Sequence, residues 1–333
     1  MKKQLQNYKV FLGLGFVFFI ISFFIAGAHL SKQSGIISPN VNPWAFRSID
    51  TMKYSRDLAR EKLGDTTFDQ DIRKQIEEIS STGATHVAIA TPYDEEFYPI
   101  LKRWVDIARE YQLNVWFRGN FSGWEGWFEY KKLTRDEHIA KTESFITNHK
   151  ELFIDGDVFT ACPECENGGP GDPRATGDTK GHRKFLIDEY SVTKKAFSKL
   201  RLSVPSNFVS MNFDVAKLIM DKSTTSSLDG IVTIDHYVKS PKVMKSDIDY
   251  IAQKSRGKIV IGEFGAPIPD INGEMDEKEQ NLWLDEVLGL LYSDPNVIGI
   301  NYWVSRGGST QLWDESGKER QAVKTLRSYL TRP

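Results

Sequence analysis

The feature that most constrains this chain is a strict alternation of short apolar runs with longer amphipathic stretches, repeated eight times between residues 45 and 330. The runs at 45–49, 86–90, 114–118, 157–162, 207–212, 230–236, 258–262 and 297–303 have the length and the Gly- and Pro-rich flanks of buried strands. The stretches at 68–80, 98–111, 135–149, 185–200, 215–221, 246–255, 277–292 and 319–330 carry helical spacing. In 98–111, Leu101, Trp104, Val105 and Ala108 recur at intervals of three and four, which makes one apolar face for packing on a sheet. Eight such pairs in order predict a closed parallel α/β barrel of the (β/α)8 or TIM type. An open, doubly wound sheet is the competitor. Its nucleotide-binding form carries G-x-G-x-x-G after an early strand, and the early strands here run into TPYDEE and GNFSGW.

The amino terminus obeys a different rule. Lys2, Lys3 and Lys9 precede a run at 10–30 with no Lys, Arg, Asp or Glu, and the next such charge is Lys32. That length approaches the roughly 20 residues that span a bilayer, so a signal anchor is expected, while Ala26-Gly27-Ala28 offers an A-x-A site for cleavage as a signal peptide. The positive flank predicts residues 1–9 in the cytoplasm, 10–30 in the membrane, a polar tether at 31–43 and the barrel, 44–333, outside. The protein is expected at the cell membrane as a single-pass chain, or secreted if the signal is cleaved. With 43 basic and 45 acidic residues and no long run of either sign, the chain shows no nucleic-acid footprint, and a neutral substrate suits its surface.

Two glutamates stand where an apolar run gives way to a Gly-rich turn: Glu164 in DVFTACPECENGG and Glu263 in KIVIGEFGAP. The carboxyl ends of parallel barrel strands form one face, so two acids at two such ends converge on one pocket. Paired carboxylates invite glycoside cleavage, one protonating the departing oxygen and the other attacking the anomeric carbon. Glu166 is an alternative acid that reads as a loop residue; Glu164 is preferred because it lies nearer the strand end. The loop at 167–181, rich in Gly, Asp, Thr and Pro, follows directly and is placed to shape a cleft. Trp124 and Trp127 in GNFSGWEGWFEY either cover the barrel mouth or stack on sugar faces. The run FRSIDTMKYSRD puts Lys53, Arg56 and Asp57 near the first strand end without an assignable role.

Cys162 and Cys165, the only cysteines, are spaced C-P-E-C. The spacing fits a thioredoxin-like redox pair or half of a zinc site. A redox pair normally opens a helix, however, and no second Cys or His pair completes a metal set. Two small side chains lining the mouth is the preferred reading, and no metal or cofactor is expected.

The ordered motifs resemble those of clan A glycoside hydrolases, in particular the cellulase-like family 5. The resemblance covers roughly residues 43–330. PECENGG is similar to the family's strand-four motif and implies Glu164 as acid/base; KIVIGEFG is similar to its strand-seven motif and implies Glu263 as nucleophile. TIDHYV on strand six implies His236 and Tyr237 as sugar and nucleophile contacts, and Trp303 in GINYWVSRGG matches the aromatic platform. Two departures stand out. Pro163 replaces the Asn that precedes the family's acid/base, and HVAIATPYD lacks the strand-two Arg. Arg118, Asn167 and Arg47 are the candidates to fill those roles. The resemblance implies a retaining glycoside hydrolase acting on an extracytoplasmic polysaccharide or oligosaccharide. A catalytically silent, glycan-binding barrel is the alternative, favoured by the two departures, and a C-x-x-C thiol-disulfide protein is third.

Overall fold

Short runs of β-branched and aromatic residues form eight strands: Phe46–Asp50 (β1), His86–Ile89 (β2), Asn114–Phe117 (β3), Val158–Phe159 (β4), Ser210–Asn212 (β5), Ile231–Asp235 (β6), Lys258–Phe264 (β7) and Val297–Tyr302 (β8). The computed structural model describes residues 42–333; the expected membrane segment at 10–30 lies outside the described residues. Among the described residues no helix is long and apolar enough to cross a membrane.

The strands make one sheet in the order β4-β3-β2-β1-β8-β7-β6-β5, with every ladder parallel. The ends of that order meet, because Phe159 N donates to the Pro205 carbonyl and Glu164 N to the Ser210 carbonyl, both at 2.9 Å. The result is the parallel TIM-type barrel that the alternation predicts. β4 is much shorter than the 157–162 run. Beyond Phe159 the chain leaves the sheet and turns into the mouth.

Helices Asp69–Ser80 (α1), Tyr98–Glu110 (α2), Arg135–Asn148 (α3), Thr179–Leu200 (α4), Phe213–Ile219 (α5), Pro241–Ser255 (α6), Glu277–Tyr292 (α7) and Gln321–Leu330 (α8) alternate with the strands. In α2 the predicted face of Leu101, Trp104, Val105 and Ala108 is buried. Capping boxes at Thr134/Glu137 and Asp276/Glu279 satisfy otherwise orphaned donors at the starts of α3 and α7. α4 starts earlier than expected, at Thr179, because the Asp178 side chain accepts from Gly181 N and caps it.

The period of two along each strand turns alternate side chains into the barrel, and these divide by height into an apolar floor and a polar ceiling. Phe46, Ala88, Trp116, Val158, Phe208 and Val260 pack together as the floor. Nearer the carboxyl ends of the strands come Asp50, Arg118, Asp235 and Asn301, all buried. The Arg118 guanidinium carbon lies 4.7 Å from the Trp116 ring centroid, so the floor carries the one buried cation of this layer on an aromatic face.

Candidate active site

Arg118 is the hub of the polar layer. Its Nη1 lies 3.0 Å from Asp50 Oδ2 and 3.0 Å from Glu263 Oε1, and its Nη2 lies 2.9 Å from Asp235 Oδ2. It also donates to the Gly262 carbonyl at 3.1 Å and to Ser210 Oγ at 3.2 Å. Burial alone would lower the guanidinium, but Asp235, Glu263 and Asp50 outweigh it and hold Arg118 above its ordinary value. Burial raises the carboxyls of Asp50 and Asp235 against the pull of Arg118, Asp235 well above the usual range. Arg118 faces four acids, Glu164 included, and its pull does not offset the burial that raises all four. Asp50 and Asp235 were not singled out from sequence, although each ends an apolar run as Glu164 and Glu263 do.

Glu263 is aimed into the barrel by an irregularity in β7. The ladder to β6 shifts register between Ile234 and Asp235, so that Asp235 pairs with Glu263. The ladder to β8 shifts between Ile261 and Phe264. Such a bulge redirects a side chain, and the freed Gly262 carbonyl accepts from Arg118 and, at 2.8 Å, from Asn301 Nδ2. A Cβ at residue 262 would meet Asp235 Oδ1 at 2.2 Å, so any side chain there forces its neighbours to shift. Tyr237 donates its hydroxyl to Glu263 Oε2 at 2.8 Å. Burial raises the Glu263 carboxyl and Glu164 adds to the rise, while Arg118 and the Tyr237 bond oppose it.

Glu164 stands half-buried in the loop after β4, with φ 45° and ψ 50° in the left-handed region. Asn167 Nδ2 donates to its Oε2 at 3.0 Å. Burial raises its carboxyl, Glu166 adds to the rise and Arg118 opposes it. Glu166 is not a solvent-facing loop residue. It is buried, and its Oε1 accepts from Asn212 N at 2.7 Å and Asn212 Nδ2 at 3.0 Å, which fixes it to the end of β5. Cys162 and Cys165 do more than line the mouth: they form a disulfide, and each is only 2% exposed. The sequence carried the signal in its only two cysteines, but a spacing of three admits redox, metal and structural roles alike.

Trp124 is a wall and not a sugar platform. It is 3% exposed, stacks on Phe185 at 4.8 Å and donates Nε1 to the Cys165 carbonyl at 3.0 Å. Gly168 and Gly169 run directly over it, where a Cβ would approach its atoms to 2.3 Å. Trp127 is half-buried, with the Arg56 guanidinium 4.8 Å from its ring centroid. Trp303 is half-buried beside Tyr237, ring centroids 5.8 Å apart and nearly perpendicular, with Lys53 Nζ 5.8 Å from its centroid. His236 Nε2 is 2.8 Å from Asp247 Oδ2 and its ring lies 4.2 Å from Phe213, while its main-chain N–H bonds the Glu263 carbonyl at 2.8 Å. Its side chain therefore faces α5 and α6, and burial keeps it below the usual histidine range. Arg47 lies near the amino end of β1 and donates to the Trp44 carbonyl, whereas Glu263 lies near the carboxyl end of β7.

One further acid escaped the sequence reading. Glu125, half-buried in a short helix after β3, accepts from Asn120 Nδ2 at 2.9 Å. Asn120 Oδ1 lies 2.9 Å from His138 Nε2, whose Nδ1 is 2.6 Å from Glu189. Burial pushes Glu125 up to about 8, with the Asn120 bond opposing. Nothing in the local sequence marks it, because its burial depends on the fold around it. Among the described residues no group of three or more His, Cys, Asp and Glu side chains is arranged to hold a metal ion.

The sequence matches no protein-family model and no curated protein. Among solved structures, the barrel is similar to a GH5_18 variant from Bifidobacterium longum subsp. longum in complex with Manβ1-4GlcNAc. That match has TM-score 0.61 and 12% identity over 86% of this chain and 78% of the other. A fungal β-1,4-galactanase aligns with TM-score 0.61 and 12% identity over 85% of this chain and 99% of its own. The β-glucuronidase of Ruminococcus gnavus, solved with D-glucuronic acid, aligns with TM-score 0.54 and 15% identity over 78% of this chain. This chain spans 45% of that glucuronidase. The fold is thus that of the family 5 and related clan A glycoside hydrolase barrels.

Proposed function

We propose that this barrel hydrolyses a glycosidic bond of an extracytoplasmic polysaccharide or oligosaccharide with retention, Glu263 as nucleophile and Glu164 as acid/base. The observation that carries the reading is the setting of Glu263. One carboxylate oxygen faces Arg118 at 3.0 Å and the other accepts from Tyr237 at 2.8 Å, at a strand end on the same face as Glu164. Both partners favour the ionised form that a nucleophile needs.

In the first step Glu164 gives its proton to the glycosidic oxygen as Glu263 Oε bonds the anomeric carbon and the aglycone leaves. In the second, Glu164 takes a proton from water, the water oxygen bonds the anomeric carbon and the Glu263 ester breaks. The raised carboxyl of Glu164 suits a group that must start protonated. Trp303 supplies the platform beneath the sugar, with Tyr237 at its edge, and Asn167 steadies Glu164. The disulfide supports an oxidising, extracytoplasmic setting, as does the apolar run at 10–30.

The test is a panel of activated 2-deoxy-2-fluoro glycosides, which slow the second step and leave the sugar on the enzyme. Peptide mass spectrometry should find the adduct on Glu263, and Glu263→Gln should abolish both adduct and turnover. An adduct elsewhere, or an active Glu263→Gln protein, overturns the assignment. The silent, glycan-binding alternative draws on Pro163 in place of the family's Asn. It predicts binding without turnover across the panel.

A further inference from the structure

Glu164 stands five residues beyond Phe159, the last residue of β4, so no sheet ladder fixes its position. A catalytic group on a loop is held less tightly than one on a strand, and one displaced by about 1 Å loses much of its effect. Its left-handed backbone is uncommon for a residue with a side chain and persists only where the surroundings impose it. The Glu164 N–H bond to Ser210 and the Asn212 contacts of Glu166 tie the loop to β5, but the left-handed turn at Glu164 itself needs a further constraint.

We propose that the Cys162–Cys165 disulfide is that device: it closes the ring Cys162-Pro163-Glu164-Cys165 around the acid/base and fixes where its carboxyl meets the glycosidic oxygen. The inference rests on the acid/base reading of Glu164. The ring is moored to two sides of the barrel. On the β3 side, Asn120 Nδ2 lies 3.7 Å from Cys162 Sγ and Trp124 Nε1 donates to the Cys165 carbonyl. On the β5 side, Glu164 N donates to the Ser210 carbonyl. Pro163 removes one further backbone freedom inside the ring. The cross-link holds the two ends together, so Glu164 between them has few alternatives to its observed conformation. Both sulfurs are buried, which fits a permanent clamp and leaves little surface for exchange with a partner thiol. Cys162 and Cys165 are positioning residues that act through Glu164 and touch no substrate.

The decisive variant is Cys162→Ala/Cys165→Ala in the full chain, with folding checked by circular dichroism and thermal melting. Two kinds of glycoside of the sugar that the wild type cleaves separate the roles, since a dinitrophenyl leaving group needs no proton and an alkyl group does. On alkyl glycosides kcat should fall about 10²-fold. On dinitrophenyl glycosides kcat/KM, which reports the first step alone, should stay within about threefold. Their kcat and KM should fall together, because the second step still needs Glu164 as base. On alkyl glycosides KM should stay within about threefold. The alkaline limb should move to lower pH as Glu164 becomes more exposed to water. Equal losses of kcat/KM on both substrates, or no loss on either, overturn the proposal. Two readouts need no turnover: the 13C-carboxyl NMR titration of Glu164 should shift to lower pH, and its amide should exchange faster. If both match the wild type, the clamp is refuted. If the wild type cleaves no glycoside while these two shift as expected, the clamp stands and the hydrolase reading fails.

Discussion

The Tyr237 hydroxyl donates to Oε2 of Glu263 across 2.8 Å, on the carboxylate oxygen that Arg118 does not face. Burial pushes this carboxyl up, and these two contacts, together with the charge of Arg56, pull it down. Tyr237→Phe removes one of them. Glu263 then rises, and because the nucleophile must be ionised, the acid limb of kcat/KM should move to higher pH. A hydrogen bond to a charged group contributes about 1.5–3 kcal/mol, which corresponds to a loss of roughly 10- to 150-fold near neutrality. The pH–rate profile of the variant checks this; an unmoved acid limb would count against the role of Glu263.

Glu125 gives a prediction that does not depend on turnover. Burial pushes it up to about 8, so it should be uncharged at neutral pH and ionise only above that. Asn120 favours the ionised form, and Asn120→Ala should therefore raise the midpoint seen by 13C-carboxyl NMR. The sign for stability follows from the same shift. A carboxyl bound more tightly to its proton in the folded state stabilises the fold fully below its unfolded value, about 4.3, and that contribution is lost as pH rises through about 8. Glu125→Gln should flatten this part of the stability profile in chemical denaturation.

The barrel was legible because its signal is periodic. Eight apolar runs and eight amphipathic stretches repeat with little interruption, and the strands form where the runs lie. The short helices at the mouth, such as Met52–Ser55 and Ser122–Glu125, escaped because four residues carry no measurable period. At the site, strand-end acids pointed to Glu164 and Glu263, and the same rule applied evenly would have reached Asp50 and Asp235. Arg118 came from its place at the end of a strand, but its five partners lie on β1, β5, β6 and β7 and are joined to it only by the closed barrel. Trp124 stood open between covering the mouth and stacking on a sugar, and only the packing of Phe185 and two glycines against it selects the wall.

Gly262 tests how tightly the β7 irregularity is set. An added methyl would meet Asp235 Oδ1 at 2.2 Å and Thr233 Cγ2 at 3.0 Å, both in the buried interior. Gly262→Ala should cost about 1–3 kcal/mol by overpacking, and it should displace Glu263, its direct neighbour. Thermal melting with parallel assays should therefore show a modest loss of stability beside a loss of activity greater than tenfold. Full activity in the variant would mean that the bulge does not position the nucleophile.

Arg118→Met makes the sharpest demand on the electrostatic account. Arg118 is the cation for Asp50, Asp235 and Glu263, and breaking a buried pair by removing one partner costs about 3–5 kcal/mol. The cost must depend on pH. All three acids already hold their protons more tightly folded than unfolded, so their contribution is complete below about 3.9–4.3 and declines as pH rises through their folded values. Without Arg118 those folded values rise further and the decline steepens. The difference in stability between wild type and variant should thus be smallest near pH 4 and grow toward neutrality. Urea denaturation at several pH values measures it; a difference that is flat across that range would show that Arg118 contributes packing on Trp116 and not charge.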